Sequence, residues 1–211
     1  MPHQPTHSTA VADQALARLK DGNARFVASI GNPDAPLASR PLALTHEQHP
    51  FAIILGCSDA RVPAEIVFDQ GLGDLFVIRV AGNVVAPSQV ASVEFAASRF
   101  GTRLVLVLGH SQCGAVLATL EELQREPAQR SRNLSSIVDR VRPSVAAFLD
   151  TELRDDVDAV VRHAVRANVH ASADHLRHGS AILEQLIATE GLRVVGAEYS
   201  LETGVVEFFD A

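Results

Sequence analysis

Two short runs of apolar residues restrict the fold of this chain more than any other feature of its sequence. The first run is Phe51-Ala-Ile-Ile-Leu-Gly56, and the second is Leu104-Val-Leu-Val-Leu-Gly109. Apolar runs of this length without polar alternation are typical of strands that are buried on both faces, as in a parallel sheet. Because parallel strands need long crossover connections, the same chain must also supply helices that cover the sheet.

The segments around these runs alternate between strand-like and helical patterns. Further strands are predicted at residues 75–79, 193–197 and 205–209, and the last two flank a predicted hairpin turn at Glu202-Thr-Gly204. Helices are predicted at residues 91–100, 115–125, 134–149, 155–177 and 181–190. These elements predict an α/β fold with a mainly parallel central sheet, of about four parallel strands and one antiparallel edge strand, flanked by helices.

The N-terminal region is predicted to contain a tail, a helical arm and an irregular connection. Residues 1–9 are polar and rich in Pro and His, which favours a flexible tail. Apolar residues recur at helical spacing from Val11 to Phe26, so residues 10–30 are predicted to form an extended helical arm, with a break at Asp21-Gly22-Asn23. The proline-rich residues 32–50 predict an irregular connection, and residues 10–211 are expected to form a single domain.

The size and charge of the chain limit the classes of function that it can have. Its 211 residues are enough for one domain with its own hydrophobic core. The formal net charge of -7 argues against a general nucleic-acid-binding protein, which needs a basic face to neutralise phosphates. No apolar run approaches the roughly 20 residues of a membrane-spanning helix, and the first residues lack the pattern of a secretory signal. We therefore expect a cytoplasmic protein that binds neither nucleic acid nor a membrane.

A ligand site is expected where the two apolar runs end, because open parallel sheets bind ligands beyond the carboxyl ends of their strands. Cys57-Ser-Asp59-Ala-Arg61 follows the first run, and an extended backbone would turn residues 57, 59 and 61 to one side. His110-Ser-Gln-Cys113 follows the second run. A tight turn into a helix would bring His110 and Cys113 to one point, since residues three apart are neighbours on a helical turn.

The two thiols and the imidazole at this edge predict a zinc site formed by Cys57, His110 and Cys113. Three protein ligands leave one tetrahedral position open, which is typical of catalytic rather than structural zinc. Zinc with two thiolates and a neutral histidine carries no net charge, so we expect only moderate acidification of a bound water and activity that rises toward alkaline pH. The alternative is a pair of buried thiols without a metal, since free cysteines are often buried.

Asp59 has two conceivable roles beside such a metal. It could close the site as a fourth ligand. Alternatively, a bidentate pair with Arg61 could hold it so that it accepts a hydrogen bond from hydroxide on the zinc. Only the second arrangement would be active, and the two could interconvert with pH.

Together the two motifs resemble the paired signature of the β-class carbonic anhydrases. The similarity runs from about Leu19 to Phe209 and includes residues 62–65, 68–76, 78–83 and 194–197. The resemblance implies a single catalytic domain that hydrates carbon dioxide reversibly to bicarbonate and a proton. It implies Cys57, His110 and Cys113 as zinc ligands, with Asp59 and Arg61 as a catalytic dyad.

The resemblance also implies substrate contacts and a homo-oligomer. Gln48, nine positions before Cys57, matches a glutamine that contacts substrate, and Gly114 matches a glycine of the cleft. Phe76 matches an apolar residue that lines the cleft across a dimer interface. Members of the family are dimers or higher assemblies, and residues 10–30 would lie on the partner subunit. Some bacterial members have an inhibitory bicarbonate site with a tryptophan where this chain has Ile54, so we expect no such inhibition here.

Other functions remain open on the sequence. Hydrolases of carbonyl sulfide or carbon disulfide resemble the same family and would use the same zinc site. A non-catalytic zinc-binding protein is a further alternative, although it would need neither Asp59 nor Arg61. Gly109-His-Ser111-Gln-Cys113 also nearly matches the nucleophile elbow of serine hydrolases. In that motif a second glycine would replace Cys113, and no downstream Asp and His stand out as partners.

Overall fold

The two apolar runs form neighbouring strands at the centre of a five-stranded sheet in the computed structural model, which describes residues 9–30 and 48–209. The strands are β1 Ala52–Gly56, β2 Leu75–Arg79, β3 Leu104–His110, β4 Arg193–Tyr199 and β5 Val206–Phe209. Their order across the sheet is β2-β1-β3-β4-β5. Strands β1 to β4 pair in parallel and β5 is an antiparallel edge, which confirms the predicted fold class.

Seven α-helices accompany the sheet in the described part of the chain. They are α1 Ala10–Ser29, α2 Ala64–Val67, α3 Pro87–Arg99, α4 Gly114–Gln124, α5 Ser135–Leu149, α6 Val157–His178 and α7 Ala181–Glu190. Capping residues set several of these bounds: the side chains of Asp156 and Ser180 accept hydrogen bonds from the first turns of α6 and α7, and Gly191 ends α7 with φ 70°. The helix α2 was not predicted because four residues are too few to show a period.

The sheet is apolar on both faces because each face packs against helices. Every residue of β1 and β3 is buried. Successive side chains of a strand point to opposite faces, so Ile54 and Leu106 join one apolar cluster with Leu19 of α1. Ile53 and Val105 join a second cluster on the other face, which includes residues of α3, α6 and α7. Burial on both faces therefore explains why these strands lack polar alternation.

Helix α1 runs without interruption through Asp21-Gly22-Asn23, so the predicted break is wrong. A Cβ atom on Gly22 would lie 1.8 Å from the carbonyl oxygen of Phe68, which means that the glycine permits close packing rather than a turn. The buried Asn23 donates to the carbonyl oxygens of Val67 (3.0 Å) and Gly204 (2.9 Å), and its Oδ1 accepts from the amide of Val206 (2.9 Å). Both residues thus make tertiary contacts within a continuous helix.

The described residues cover only part of the N-terminal region for which the sequence made predictions. The apolar face of α1 packs on the sheet of its own chain, and its contact with a partner subunit stays a prediction. Residues 1–8 of the predicted tail and residues 31–47 of the predicted connection lie outside the described residues. Among the helices of residues 9–30 and 48–209, none combines the length and the apolar character that a membrane span requires.

Substituting Gly22 by alanine should destabilise the protein, although alanine is the better helix former by about 1 kcal/mol. The new methyl group would overlap the Phe68 carbonyl and push α1 off the sheet. We expect a loss of about 1–3 kcal/mol, the usual cost of overpacking, seen as a lower thermal midpoint at fixed protein concentration. An unchanged or higher midpoint would show that the close approach of α1 is not needed.

Candidate metal centre

The three predicted metal ligands meet at the carboxyl edge of the sheet. Cys57 follows β1 directly, His110 is the last residue of β3, and Cys113 precedes the first turn of α4. Because β1 and β3 are parallel neighbours, with Gly56 opposite Leu108, their ends bring Cys57 and His110 side by side. The two sulfurs and a ring nitrogen lie within 4.8 Å of one another, and all three residues are buried. The structure thus confirms that these side chains can share one ion.

The hydrogen-bonding pattern of the two His110 ring nitrogens fits a metal ligand. Its Nδ1 lies 2.8 Å from the carbonyl oxygen of Ser111, so this nitrogen carries the hydrogen and Nε2 keeps a free lone pair. Nε2 is buried and has no hydrogen-bond partner among the described residues. A buried polar atom without a partner is costly, and a cation held by the two neighbouring thiolates would satisfy it. The donor set and the unsatisfied nitrogen therefore fit zinc.

The two thiols have opposite tendencies to ionise. The pKa of Cys57 is lowered, chiefly because its sulfur accepts a hydrogen bond from the Cys113 thiol, with further help from the amide of Gly82. The pKa of Cys113 is raised because it donates to Cys57 and is buried. One thiolate thus forms readily at this site, and a divalent cation would stabilise the second.

A backbone amide from the turn after β2 supports the Cys57 sulfur. This turn, Ala81–Asn83, holds Gly82 at φ 70°, and the Gly82 amide donates to Cys57 Sγ at 3.3 Å. Helix α6 fixes the turn, because buried Asn168 donates to the Gly82 carbonyl oxygen (2.7 Å) and Ser172 to that of Asn83 (3.1 Å). Sequence reasoning missed this support, since the hydrogen bonds join residues 25, 86 and 89 positions apart.

Asp59 is turned toward Arg61. Two hydrogen bonds from the guanidinium, Nε to Oδ1 at 2.9 Å and an η-nitrogen to Oδ2 at 2.8 Å, form a bidentate pair, and the Arg61 amide adds a third at 3.0 Å. These bonds hold the pKa of Asp59 well below its usual range, so the group is ionised. Its Oδ2 lies 3.9 Å from His110 Nε2. Of the two predicted arrangements, this is the one that leaves the metal ligands to Cys57, His110 and Cys113.

Arg79 fixes the backbone that carries this dyad. Its guanidinium donates to the carbonyl oxygens of Cys57 (3.0 Å) and Asp59 (2.6 Å). The side chain comes from the end of β2, next to β1 in the sheet. The extended course of residues 57–59 is therefore held from a neighbouring strand.

The three residues predicted to contact substrate do not all lie near the metal centre. Gln48 is exposed in the segment before β1, and Gly114 is the exposed first residue of α4, where an added Cβ would meet no atom within 4 Å. Phe76 lies opposite Ile53, four positions before Cys57, which is about 13 Å along the strands. Phe76 instead packs on two other phenylalanines, so it does not reach the metal centre of its own chain. The roles of all three residues stay predictions.

The hydroxyl of Ser111 forms its hydrogen bonds with the hairpin between β4 and β5 and not with His110. It donates to Glu202 at 2.8 Å and accepts from the Leu201 amide at 3.0 Å, while the His110 ring faces the Ser111 carbonyl oxygen. A serine nucleophile needs a histidine base on its hydroxyl, so this arrangement argues against the serine hydrolase alternative.

Comparison with known proteins points to one family. A family model described as "Carbonic anhydrase" matches residues 52–206. A carbonic anhydrase of Mycolicibacterium smegmatis is 41% identical over 195 residues, which is 92% of this chain and 91% of that protein. The β-carbonic anhydrase CafA of Aspergillus fumigatus has a similar crystal structure, with TM-score 0.71 and 27% identity over 94% of this chain and 90% of that one.

A second solved structure agrees with the first. The Coccomyxa β-carbonic anhydrase, solved in complex with acetazolamide, has TM-score 0.69 and 26% identity, and the match covers 92% of this chain and 86% of that one. The similarity therefore extends well beyond the metal centre to most of the fold. On the family match, the close relative and the shared architecture, this chain belongs to the β-carbonic anhydrase family.

Proposed function

We propose that this chain catalyses the zinc-dependent, reversible hydration of carbon dioxide to bicarbonate and a proton. The observation that carries the proposal is a buried Cys57, His110 and Cys113 site beside a carboxylate that Arg61 holds. The name of its M. smegmatis relative describes the same activity. When bound, zinc supplies a Lewis acid that makes a water molecule nucleophilic near neutral pH.

The protein residues around the metal orient the reaction. Asp59 is ionised, so its carboxylate accepts a hydrogen bond from the attacking oxygen and directs a lone pair of that oxygen toward carbon dioxide. Arg61 has the separate task of keeping Asp59 from becoming a fourth metal ligand. The exposed Gly114 leaves space beside Cys113 for a small substrate, and Gln48 would contact that substrate.

The proposal includes a homo-oligomer, a dimer or larger, in the cytoplasm, with residues 10–211 as one catalytic domain and Phe76 lining the cleft of a partner subunit. Strand β2, which carries Phe76, is an edge of the sheet. Phe76, Phe95 and Phe100 pack together there, with ring centroids 5.6–6.1 Å apart, and Phe95 is 53% exposed. Exposed aromatic clusters at a sheet edge favour burial by another subunit.

The direct test is stopped-flow hydration of carbon dioxide by purified protein whose zinc content is measured. We expect about one zinc per chain and turnover that disappears in Cys113→Ser together with the metal. Hydrolysis of carbonyl sulfide or carbon disulfide, measured in parallel, separates the alternative enzymes. Zinc-loaded protein without turnover on any of these substrates would indicate a non-catalytic zinc protein and contradict the proposal.

Replacing Asp59 by asparagine should lower the turnover number by about 10- to 100-fold while zinc content stays normal. The single amide oxygen cannot accept hydrogen bonds from Arg61 and from the attacking oxygen in the geometry that the two carboxylate oxygens allow. Asp69→Asn is a matched control, since Asp69 also pairs with an arginine, Arg25, at a site away from the metal. Full turnover in zinc-loaded Asp59→Asn would refute the dyad.

The hydration rate should rise between pH 6 and pH 9. A zinc site with two thiolates has no net charge, so its water loses a proton at higher pH than beside three neutral histidines. Asp59 does not contribute to this rise, since its lowered pKa keeps it ionised over the whole range. The rate of Asp59→Asn should thus still rise with pH, but with its midpoint at lower pH, because a negative charge beside the titrating water is lost. A flat rate from pH 6 to 9 would contradict this expectation.

A further inference from the structure

The metal-binding turn between β3 and α4 is tied to the hairpin that joins β4 and β5. The Ser111 amide donates to the Tyr199 carbonyl oxygen (2.9 Å), and the Leu201 amide donates to Ser111 Oγ (3.0 Å). Glu202 completes the link with both carboxylate oxygens. Its Oε2 accepts from Ser111 Oγ (2.8 Å), and its Oε1 accepts from Gln112 Nε2 (2.7 Å). One carboxylate therefore holds the two residues that separate the ligands His110 and Cys113.

This turn has a conformation that needs outside support. Gln112 has a φ of 54°, in the left-handed region that non-glycine residues rarely adopt. Such a residue persists only when its surroundings determine its conformation. Gln112 is exposed, so burial does not hold it in this conformation. The hydrogen bond from its side chain to Glu202 is the specific contact that does.

The peptide group that the carboxylate restrains is also the one that orients a metal ligand. The Ser111 carbonyl oxygen accepts the hydrogen of His110 Nδ1 and so leaves Nε2 to face the two sulfurs. A rotation of the peptide between Ser111 and Gln112 would remove this acceptor. The ring of His110 would then lose the contact that sets its tautomer and its direction.

We propose that Glu202 is a positioning residue of the zinc centre, which clamps Ser111 and Gln112 so that the Ser111 carbonyl group keeps His110 directed at the metal. This inference rests on the proposed zinc site and goes beyond it, because Glu202 lies outside both sequence motifs. The pKa of Glu202 is lowered to about 2, chiefly by the hydrogen bond from Ser111, so the carboxylate is an anionic acceptor in neutral solution.

A role confined to the hairpin is the competing explanation, since Glu202 also accepts from Ser200 Oγ at 3.0 Å. Ser200→Ala removes that hairpin contact and leaves the contacts with the metal-binding turn, which makes it the matched control. Glu202→Gln is the conservative variant, because its amide can still donate to Ser111 Oγ and accept from Gln112. Gln112→Asn tests the other side of the contact: asparagine tolerates positive φ but is too short to reach Glu202.

The experiment measures the rate at which zinc leaves the loaded, full-length protein into an excess of chromogenic chelator. We expect release about tenfold faster in Glu202→Ala than in wild type, a smaller change in Glu202→Gln, and a wild-type rate in Ser200→Ala. Gln112→Asn should be intermediate, and the double variant Glu202→Ala/Gln112→Asn should be no faster than Glu202→Ala alone, because one contact is lost in both. In cobalt-substituted protein, Glu202→Ala should also shift the visible d–d absorption.

Two results would overturn the inference while leaving the proposed function intact: wild-type release rates and spectra in Glu202→Ala, or an equal acceleration in Ser200→Ala. Should Glu202→Ala fail to fold, Gln112→Asn and Glu202→Gln carry the test, and wild-type rates in Gln112→Asn would refute the clamp. Wild-type protein that binds no zinc would instead refute the proposed function, and the inference with it.

Discussion

The parallel pairing of β1 and β3 is the constraint on which the metal centre depends. Its register places Gly56 opposite Leu108, so Cys57 and His110, which follow these residues by one and two positions, lie close together at the same edge of the sheet. In a strand that is buried on both faces, a slip of one residue would exchange the two apolar faces and separate the ligands. The apolar residues of these strands thus stabilise the fold and also align the site.

Around the three ligands, hydrogen-bond donors face the Cys57 sulfur, the carbonyl groups of its loop and the Asp59 carboxylate. The Gly82 amide supports the Cys57 sulfur, Arg79 holds the carbonyl groups of the same loop, and Arg61 holds the Asp59 carboxylate. Arg79 is the last residue of β2, and the turn that holds Gly82 is fixed by Asn168 of α6. A site with thiolates and a carboxylate requires such donors, because these negatively charged groups would otherwise repel one another when no metal is bound.

The sequence was sufficient to predict the strands, the parallel sheet and the ligand set, because these follow from local periodicity and from residue types at fixed spacing. It was insufficient where residues distant in the chain meet. Gly22 and Asn23 predict a break by local rules, yet the helix continues because both residues contact segments about 45 or 180 positions away. Glu202 shows only a turn signal in the sequence, although it reaches Ser111 across 91 positions. Phe76 illustrates the same limit, since its predicted contact requires a second chain.

Asn23 has a consequence for how the two ends of the chain are joined. Two of its three hydrogen bonds, to Gly204 and from Val206, link α1 to the hairpin that carries Glu202, and that hairpin is bonded to the metal-binding turn. The first helix and the zinc ligands are thereby connected by an unbroken series of polar contacts. An affinity tag fused upstream of α1 leaves this series intact. A shortened protein that starts beyond Asn23 loses the first of these contacts, and the buried amide of Val206 is then left without an acceptor.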